Sequence, residues 1–589
     1  MRQVLSVSKP RRFPSFKQWQ QLPNILSKAE KHILQIATLL IVLSAGSLVG
    51  IVLFSHRVEM PTHGGEYTEA LVGEPQLINP LYATTNDVDV DLVSLIYSGL
   101  FKWIPGKGLV LDLAESVKID ETGTKVTVAI RKNATFQNGD PLNARDVVFT
   151  IDAIKNPAYR SPLYSAFKTV SIAQDDDQTV SFTLEKAQAS FLQNLTVGIL
   201  PANVWSEILP QNAALTALNL QPIGSGPYQF EEFAKDKKGS VRSYTLKPFE
   251  KYYAETGKID RLNFKFYSDT ASALEALTNK FVEGVNMVPF EHRAETGQNR
   301  SVMLESPFLS RESVLFFNQK TNVWLQKKPV REAIALAIDK TFLTHTVLED
   351  QARPITGPLL PGMSGYSAEP GVTPTDLEKS KTILTESGIF KEETTPASTT
   401  KKEETDTATE ATEETIVRKP NQFTLTTVNN EESLRVADAV KKQLESVGLQ
   451  IDIVSLPAST LYDKVIAPRD FELLLTTVMY DADLDPSIFW HSSTNTATSL
   501  NIVDYKNTEV DKLLESAQVA ISDADRETAY KTFQEKLLAD IPAVFLYQST
   551  YVYAVAKKIQ NVAIESIRIP SDRFANINEW YIKTKKTFR

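Results

Sequence analysis

Residues 126–154, VTVAIRKNATFQNGDPLNARDVVFTIDAI, give the strongest indication of the fold. Apolar residues first alternate, as they do in a strand with one buried face: Val126, Val128 and Ile130. The sequence Asn-Gly-Asp at 138–140 predicts a turn, and Asn143 is placed to cap a helix that begins at Ala144. That helix would bury a stripe of apolar side chains: Val147, Val148, Ile151 and Ile154. The segment therefore predicts a strand, a turn and a helix in succession.

Similar patterns extend over the rest of the chain. We predict strands at 65–70, 179–184, 244–247, 261–266, 421–428, 450–454, 473–478 and 541–554. We predict helices at 89–100, 271–281, 330–348, 433–447, 507–520 and 525–538. Strands and helices do not alternate strictly, so we expect a mixed α/β architecture of several sheets with helices packed on them. At 589 residues the chain is too long for one core, and we expect two to four domains.

Composition and charge exclude several functional classes. The chain has no cysteine, which excludes disulfides, thiolate nucleophiles, zinc sites built from cysteine and a lipidated cysteine anchor. The net charge is −9, and the first 31 residues carry seven Lys or Arg against one Glu. The remainder of the chain therefore carries a net charge of −15. So acidic a body repels phosphate backbones, and we expect no nucleic-acid partner.

The N-terminal region has the pattern of a membrane anchor. Residues 33–54 are 22 consecutive residues without a charge, and about 20 are enough to cross a bilayer. The basic segment before them predicts a cytoplasmic N-terminus and a body on the outer face. A cleaved signal peptide is the alternative, with small residues at 45–47. The apolar run continues beyond that site through residue 54, which favours an uncleaved single-pass anchor.

An unusual acidic stretch follows the predicted strand at 473–478. Residues 471–493 read FELLLTTVMYDADLDPSIFWHSS, with three carboxylates within five residues: Asp481, Asp483 and Asp485. In one partly dry site, their repulsion would raise their pKa values or attract a cation. The stretch is therefore either one wall of a pocket for a positive group or an acidic loop on a solvated rim with one helix-capping aspartate. A calcium loop is disfavoured because Pro486 and Ser492 replace its glycine and glutamate.

Catalytic motifs are missing from the sequence. None of the six histidines lies in an HExxH motif, and the sequence at 362–366, GMSGY, lacks the final glycine of a nucleophile elbow. The pattern is that of a protein that binds and does not catalyse, although paired carboxylates also serve glycoside hydrolysis. Residues 391–416 contain nine Thr, seven Glu and no aromatic residue, and we predict a disordered surface insertion there.

Several of these segments, in this order, resemble bacterial extracellular solute-binding proteins of family 5, over about residues 65–589. The most specific is residues 126–154. The others are EPQLINPLYATTNDVDVDLVSLIYSGLF, GSGPYQF, VREAIALAIDK, DPSIFWHSST and DIPAVFLYQSTYVYAV. The resemblance implies a periplasmic-binding-protein-like clamp of two lobes that close on a solute, with an extra inserted domain and, here, one transmembrane helix in front.

The domain boundaries expected from this resemblance are as follows. Residues 1–32 are a cytoplasmic segment, 33–54 the anchor and 55–64 a linker. Lobe I comprises 65–108, 222–306 and 545–589. The inserted domain is 109–221, and lobe II is 307–544 with the low-complexity insertion at 391–416.

The resemblance also implies a ligand site. In peptide-binding members, main-chain hydrogen bonds hold an extended peptide, and an aspartate of lobe II pairs with its α-ammonium. Position 482, where the family pattern places that aspartate, is Ala here. We favour Asp481 for this role and keep Asp483 as the second choice. The other predicted ligand-binding residues are Tyr480 and Met479 on lobe II, and Thr84, Thr85 and Asn86 on the facing edge of lobe I.

The function implied is that of a membrane-anchored, monomeric receptor that captures oligopeptides and delivers them to the permease subunits of an ABC importer. No cofactor, metal or enzymatic activity is expected. The first alternative is the same fold binding a non-peptide solute or a signalling peptide. The second is a surface hydrolase that uses the acidic cluster.

Overall fold

The computed structural model describes Gln20 and residues 26–55, 57–367, 374–391, 419–480, 485–494, 500–564 and 566–588. The chain divides into two compact units, Met1–Thr62 with Lys583–Arg589 and His63–Ile582. Of the predicted low-complexity insertion, Lys391 alone falls within the described residues. The predicted disorder of that insertion therefore concerns residues outside the described part.

The strands, in chain order, are β1 (Arg57–Thr62), β2 (Glu66–Val72), β3 (Phe101–Ile104), β4 (Gly108–Leu111), β5 (Ala114–Ile119), β6 (Lys125–Ile130), β7 (Ser171–Asp176), β8 (Thr179–Thr183), β9 (Tyr228–Lys235), β10 (Val241–Pro248), β11 (Arg261–Tyr267), β12 (Gly284–Val285), β13 (Val302–Glu305), β14 (Phe308–Leu309), β15 (Arg311–Phe317), β16 (Ala352–Pro354), β17 (Gln422–Val428), β18 (Gln450–Leu456), β19 (Leu473–Met479), β20 (Ala543–Ser549), β21 (Tyr553–Ala556), β22 (Ser566–Ile567) and β23 (Lys583–Phe588).

The α-helices are α1 (Lys28–Ser55), α2 (Asp87–Ile96), α3 (Ala144–Lys155), α4 (Tyr164–Phe167), α5 (Phe191–Asn194), α6 (Ala202–Trp205), α7 (Thr270–Thr278), α8 (Phe290–Gln298), α9 (Val323–Gln326), α10 (Lys328–Ala337), α11 (Lys340–Phe342), α12 (Leu377–Ser387), α13 (Glu431–Ser446), α14 (Ala458–Leu461), α15 (Ser487–Trp490), α16 (Thr508–Val519) and α17 (Asp523–Asp540).

The first unit consists of α1 and a two-stranded ribbon in which β1 pairs antiparallel with β23. Within α1, the stretch Lys28–Leu48 is long and apolar enough to cross a membrane, and none of it is buried against protein. An apolar helix without a protein partner is the form that a bilayer accommodates, because all its backbone hydrogen bonds are internal.

In the second unit, the strand, turn and helix predicted at 126–154 are confirmed as β6, a turn and α3. Asn143 caps α3 by accepting a hydrogen bond from the Arg145 amide at 3.0 Å, and Asp146 accepts from the Asn143 amide at 2.9 Å. This reciprocal capping box satisfies amides that the first helical turn leaves unpaired. The antiparallel sheet β5-β6-β8-β7 packs on α3 through the buried side chains of both.

Two larger sheets organise the rest of the second unit. The seven-stranded sheet has the order β13-β21-β12-β2-β11-β10-β9, and the six-stranded sheet has the order β16-β20-β15-β19-β17-β18. Side chains of β15 alternate between two separate cores on the two faces of its sheet: Leu315 and Phe317 lie in one, Val314 and Phe316 in the other. A strand covered on both faces reads as a continuous apolar run, which explains the sequence of 314–317.

The polypeptide passes between these two sheets twice in the described part of the chain, through residues 306–310 and 550–552. The single strand predicted at 541–554 is therefore wrong, because β20 belongs to the six-stranded sheet and β21 to the seven-stranded one. The apolar pattern continues across the second crossing because Tyr551 and Val552 are buried there too.

The long helix predicted at 330–348 is also wrong. Helix α10 ends at Ala337, Ile338 is extended, and the Asp339 side chain caps α11 by accepting from the Phe342 amide at 2.8 Å. Aspartate favours such caps over helix interiors because its carboxylate competes for backbone amides. The apolar spacing persists through the break, so periodicity alone did not reveal it.

A buried ion-pair cluster ties three distant segments of the seven-stranded sheet's core together. The Arg573 guanidinium is fully buried and makes a two-pronged contact with the Asp91 carboxylate at 2.8 and 2.6 Å. It also donates to Oε1 of Glu69 on β2 at 3.0 and 2.6 Å. Burial alone would lower the pKa of Arg573, but Asp91 and Glu69 together raise it well above its usual value. Arg573 therefore stays charged and pairs with two buried carboxyl groups at once.

We predict that Arg573→Leu lowers the free energy of unfolding by about 3–5 kcal/mol, because it leaves two buried carboxylates without their cation. Urea denaturation followed by circular dichroism measures the change. The matched control is Arg242→Leu, which removes a surface pair with Asp236 and is expected to change stability little. Equal effects of the two substitutions would contradict the assigned role of the cluster.

Candidate functional site

Strand directions bring the two predicted edges of the site toward the crossings. Strand β2 runs parallel to β12, which pairs antiparallel with β21. The end of β2 therefore lies beside the start of β21, immediately after the second crossing. In the other sheet, Met479 at the end of β19 pairs with Arg311, the first residue of β15 after the first crossing. Loop 73–86 and the segment after Met479 thus both leave their sheets at the ends where the chain crosses.

Of the three residues predicted on the first edge, Thr84 and Thr85 have exposed side chains. Asn86 caps α2 by accepting from the Val88 amide at 3.0 Å, and its side-chain amide donates to the Glu74 carbonyl at 3.1 Å. Its side chain therefore has a structural role in shaping the loop. Thr84 and Thr85 therefore present their hydroxyls to solvent.

On the second edge, Met479 is 50 % exposed and Tyr480 is 1 % exposed. The Tyr480 hydroxyl lies 2.9 Å from Oε1 of Glu312 on β15 and 2.5 Å from the carbonyl oxygen of Pro358. Tyr480 therefore supports the edge from beneath. The two favoured ammonium partners, Asp481 and Asp483, lie outside the described residues.

The third carboxylate of the acidic stretch has a structural role. Asp485 accepts from the Ser487 amide at 2.9 Å at the start of α15, and from the Gln518 side chain at 2.8 Å. The Gln518 carbonyl in turn accepts from the Ala189 amide at 2.8 Å, which links α16 to the segment that follows β8. Asp485 is thus engaged within the protein, but Pro486 occupies the N-cap position of α15, so Asp485 is not the N-cap aspartate considered from the sequence.

A cavity of about 350 Å³ lies beside Thr84. It is walled mainly by apolar side chains from several separate segments, among them Val93, Trp103, Leu163, Phe167 and Phe574. Three buried polar atoms of its lining have no hydrogen-bond partner among the described residues: Tyr97 OH, Gln193 Oε1 and Asn578 Oδ1. Pockets for small solutes have this character, mostly apolar with a few polar groups that fix orientation.

Charged groups at the same cavity are paired within the protein. Burial raises the pKa of Asp112, and Lys102, whose ammonium lies 3.3 Å away, opposes that rise. The Arg568 guanidinium lies 4.3 Å from the centre of the Trp103 ring and 3.4 Å from the Asp572 carboxylate. A solute here could therefore bond to the side-chain carbonyl oxygens of Gln193 and Asn578 and to the Tyr97 hydroxyl. The charged side chains of the lining already have partners within the protein.

Sequence reasoning missed this cavity. Most of its lining comes from loop 73–86 with α2, from the β3–β4 hairpin, from 163–198 and from 568–578, and Pro227 and Tyr252 complete it. Each contribution is a few residues, apolar and polar, with no motif that marks them in sequence. No local spacing indicates that they meet.

Residues 108–499, well over half of the chain, match the family model described as bacterial extracellular solute-binding proteins, family 5 middle. The chain belongs to this family. The family resemblance and the fold class predicted from the sequence are thereby confirmed. The family binds solutes outside the cell, which agrees with the absence of a catalytic constellation in the sequence.

Among curated proteins, the oligopeptide-binding protein AppA of Bacillus subtilis (strain 168) is 26% identical over 531 residues, 89% of this chain and 92% of AppA. The solved structure of the ABC transporter substrate-binding protein CtaP from Listeria monocytogenes has a TM-score of 0.73 at 23% identity, covering 88% of this chain and 100% of CtaP. NikZ from Campylobacter jejuni, in complex with Ni(L-His), has a TM-score of 0.67 at 22% identity, covering 88% of this chain and 99% of NikZ. The two structures show the shared fold.

We predict that Ala83→Phe, which places a ring in the cavity beside Thr84, weakens solute binding at least tenfold, about 1.4 kcal/mol. The solute that most stabilises the wild-type protein in a thermal-shift screen is titrated by calorimetry. Gln76→Phe, an exposed position on the same loop outside the cavity lining, is the control and should bind as the wild type does. Unchanged binding by Ala83→Phe would remove the cavity from the site.

Proposed function

We propose that this chain is the solute receptor of an ABC importer and that it captures oligopeptides between two lobes built on the two large sheets. The observation that carries the proposal is that loop 73–86 and the end of β19 both lie at the sheet ends where the chain crosses, since a ligand held there would touch both sheets. The kinship with AppA, an oligopeptide-binding protein, supports a peptide ligand. Delivery to permease subunits follows from the importer role.

The lobes of this proposal keep the boundaries inferred from the sequence. Lobe I is 65–108, 222–306 and 545–589, lobe II is 307–544, and the inserted domain is 109–221. The crossings at 306–310 and 550–552 serve as hinges, because a few residues between rigid sheets absorb the rotation when lobes close. The receptor acts as a monomer and needs no cofactor or metal.

The proposed ligand contacts follow the chemistry of a peptide terminus. Asp481, or Asp483 in second place, pairs with the α-ammonium of the peptide. Thr84 and Thr85 face it from the other sheet, and Met479 contributes an adaptable apolar surface. Main-chain hydrogen bonds along the peptide would make binding tolerant of its side chains.

We predict that a mixed tripeptide library raises the melting temperature of the full chain in detergent. We expect Asp481→Asn to raise the Kd roughly 30-fold, about 2 kcal/mol, because a charged partner of the ammonium is lost. Asp483→Asn should have the smaller effect. The matched control is Asp463→Asn, which changes an exposed aspartate between β18 and β19 and should leave the Kd unchanged.

Three outcomes separate the candidates. Stabilisation by peptides that both Asp481→Asn and Asp483→Asn retain would reject the ammonium contact but keep the receptor. No stabilisation by any peptide would reject oligopeptides. Turnover of a peptide or glycan that is lost on mutating either aspartate would instead support the surface hydrolase.

A second candidate is a compact, non-peptide solute. A cavity of about 350 Å³ with apolar walls suits a small molecule better than an extended peptide, and the relative NikZ was solved with Ni(L-His). A native mass spectrum of the protein as purified distinguishes the two by the mass of the bound solute. A signalling peptide taken up for sensing would give a peptide mass.

The receptor is further proposed to be held at the cell membrane by α1 as an uncleaved single-pass anchor, with the N-terminus in the cytoplasm. We predict that the full chain stays with membranes through a carbonate wash, whereas residues 57–589 alone are recovered in the soluble fraction, because the 21-residue apolar stretch is removed. Intact mass spectrometry of the membrane-bound protein measures its N-terminus. A mass that begins after residue 47 would show a cleaved signal peptide.

A further inference from the structure

The Tyr480 hydroxyl has one hydrogen and two oxygen neighbours. The Pro358 carbonyl oxygen, at 2.5 Å, only accepts hydrogen bonds, so the hydroxyl hydrogen must point toward it. Oε1 of Glu312 lies 2.9 Å from the same hydroxyl oxygen. If Glu312 were ionised, that contact would join an anion to an oxygen whose hydrogen is already used. A proton on Glu312 removes the conflict, because the carboxylic acid then donates to the hydroxyl.

The surroundings of Glu312 favour the same state. Its side chain is 1 % exposed, and its second oxygen, Oε2, has no hydrogen-bond partner among the described residues. Glu312 takes part in no ion pair among the described residues, so no described Lys, Arg or His nitrogen lies within 4 Å of its carboxyl oxygens. An isolated carboxylate is costly to bury, whereas the neutral acid is not.

The ionisable groups on the neighbouring elements are engaged elsewhere. Lys340 on α11 donates to the Ile355 carbonyl at 3.1 Å, and Arg353 on β16 donates to the Gln548 side chain at 2.8 Å. Arg311 precedes Glu312 on β15, and alternation directs it to the opposite face of the sheet. Tyr480, the first residue after β19, is the ionisable group whose side chain contacts Glu312.

We propose that Glu312 is a neutral carboxylic acid that positions the ligand-binding edge: it donates to the Tyr480 hydroxyl, which donates to the Pro358 carbonyl. This inference rests on the proposed function, because Tyr480 directly precedes Asp481. Glu312 is a positioning residue and touches no solute. Its neutrality serves binding, because a second negative charge beneath the edge would raise the pKa of the aspartate that must stay ionised to hold an ammonium.

The pKa values give the pH dependence its sign. Burial raises the pKa of Glu312 from 4.5 to about 8. A folded-state pKa above the unfolded one contributes stability that is present at low pH and lost as pH rises from about 4.5 through 8. Burial lowers the pKa of Lys340 from 10.5 to about 8, so its contribution rises between about pH 8 and 10.5, a later and opposite change. A comparison with Glu312→Gln isolates the Glu312 part.

The test uses the full chain in detergent and three readouts. First, the infrared difference spectrum of wild type minus Glu312→Gln at pH 7 should contain the carbonyl band of a protonated carboxyl group, which fades as pH is raised through 8. Second, the melting temperature of the wild type should fall from pH 6 to 8 relative to Glu312→Gln, whose amide keeps the donor to Tyr480. Third, the α-amino group of trialanine itself loses its proton near about pH 8, so trialanine affinity should fall between pH 7 and 9 for both proteins. The fall should be about tenfold larger for the wild type than for Glu312→Gln, because one unit above its pKa about a tenth of the Glu312 acid remains protonated.

Absence of the carbonyl band at pH 7, or an equal decline of melting temperature in wild type and Glu312→Gln, would overturn the assignment. If Glu312→Gln fails to fold, the titration of the band in the wild type and its shift in Tyr480→Phe, which removes the acceptor, decide the question. Failure of trialanine and of the peptide library to bind at any pH would reject the peptide function alone. The infrared band and the melting curves would then still show whether Glu312 is protonated.

Discussion

The chain crosses between its two large sheets through two short segments that run side by side. The first crossing joins β13 to β15, and the second joins β20 to β21. Strands β13 and β21 are neighbours in one sheet, and β15 and β20 are neighbours in the other. The Tyr551 amide donates to the Pro307 carbonyl at 2.8 Å, which joins the crossings themselves. Arg293 braces them by donating to the Gln351 side chain at 2.6 Å and to the Thr550 carbonyl at 3.4 Å. Strand ends that face this junction are the places where one solute can touch both sheets.

Beneath each of these strand ends lies a buried polar arrangement of a different kind. Under loop 73–86, Arg573 forms ion pairs with both Glu69 and Asp91. Under the end of β19, Glu312 and Tyr480 are buried, and Glu312 forms no ion pair with any residue that the structure describes. The charged cluster holds its segments together at any pH at which the carboxylates are ionised, whereas a buried neutral acid depends on its proton. The two edges of the proposed site therefore respond differently to pH.

The parts of the fold that follow from local sequence were predictable. Asn143 and Asp146 cap α3 with contacts three residues apart, and the alternation of β6 is set by its own residues. The parts that went wrong depend on distant partners. Residues 541–554 are uniformly apolar because both sheets and the crossing between them are buried, so their split into β20 and β21 has no local mark. Asp339 ends the helix at 330–337 although the apolar spacing continues past it.

By itself, the sequence determined the family, the mixed α/β class, the apolar N-terminal helix and the acidic stretch after β19, because each depends on residues close together in the chain. Tertiary structure alone decided which side chains meet. Arg573 reaches Glu69 across 504 residues and Asp91 across 482, and the lining of the cavity beside Thr84 comes from several separate segments. Tyr480 lies 168 residues from Glu312 and 122 from Pro358, and the contact of all three at one hydroxyl oxygen indicates where the proton lies. Periodicity reports which face of an element is buried, but the partner on that face is set by how the sheets pack.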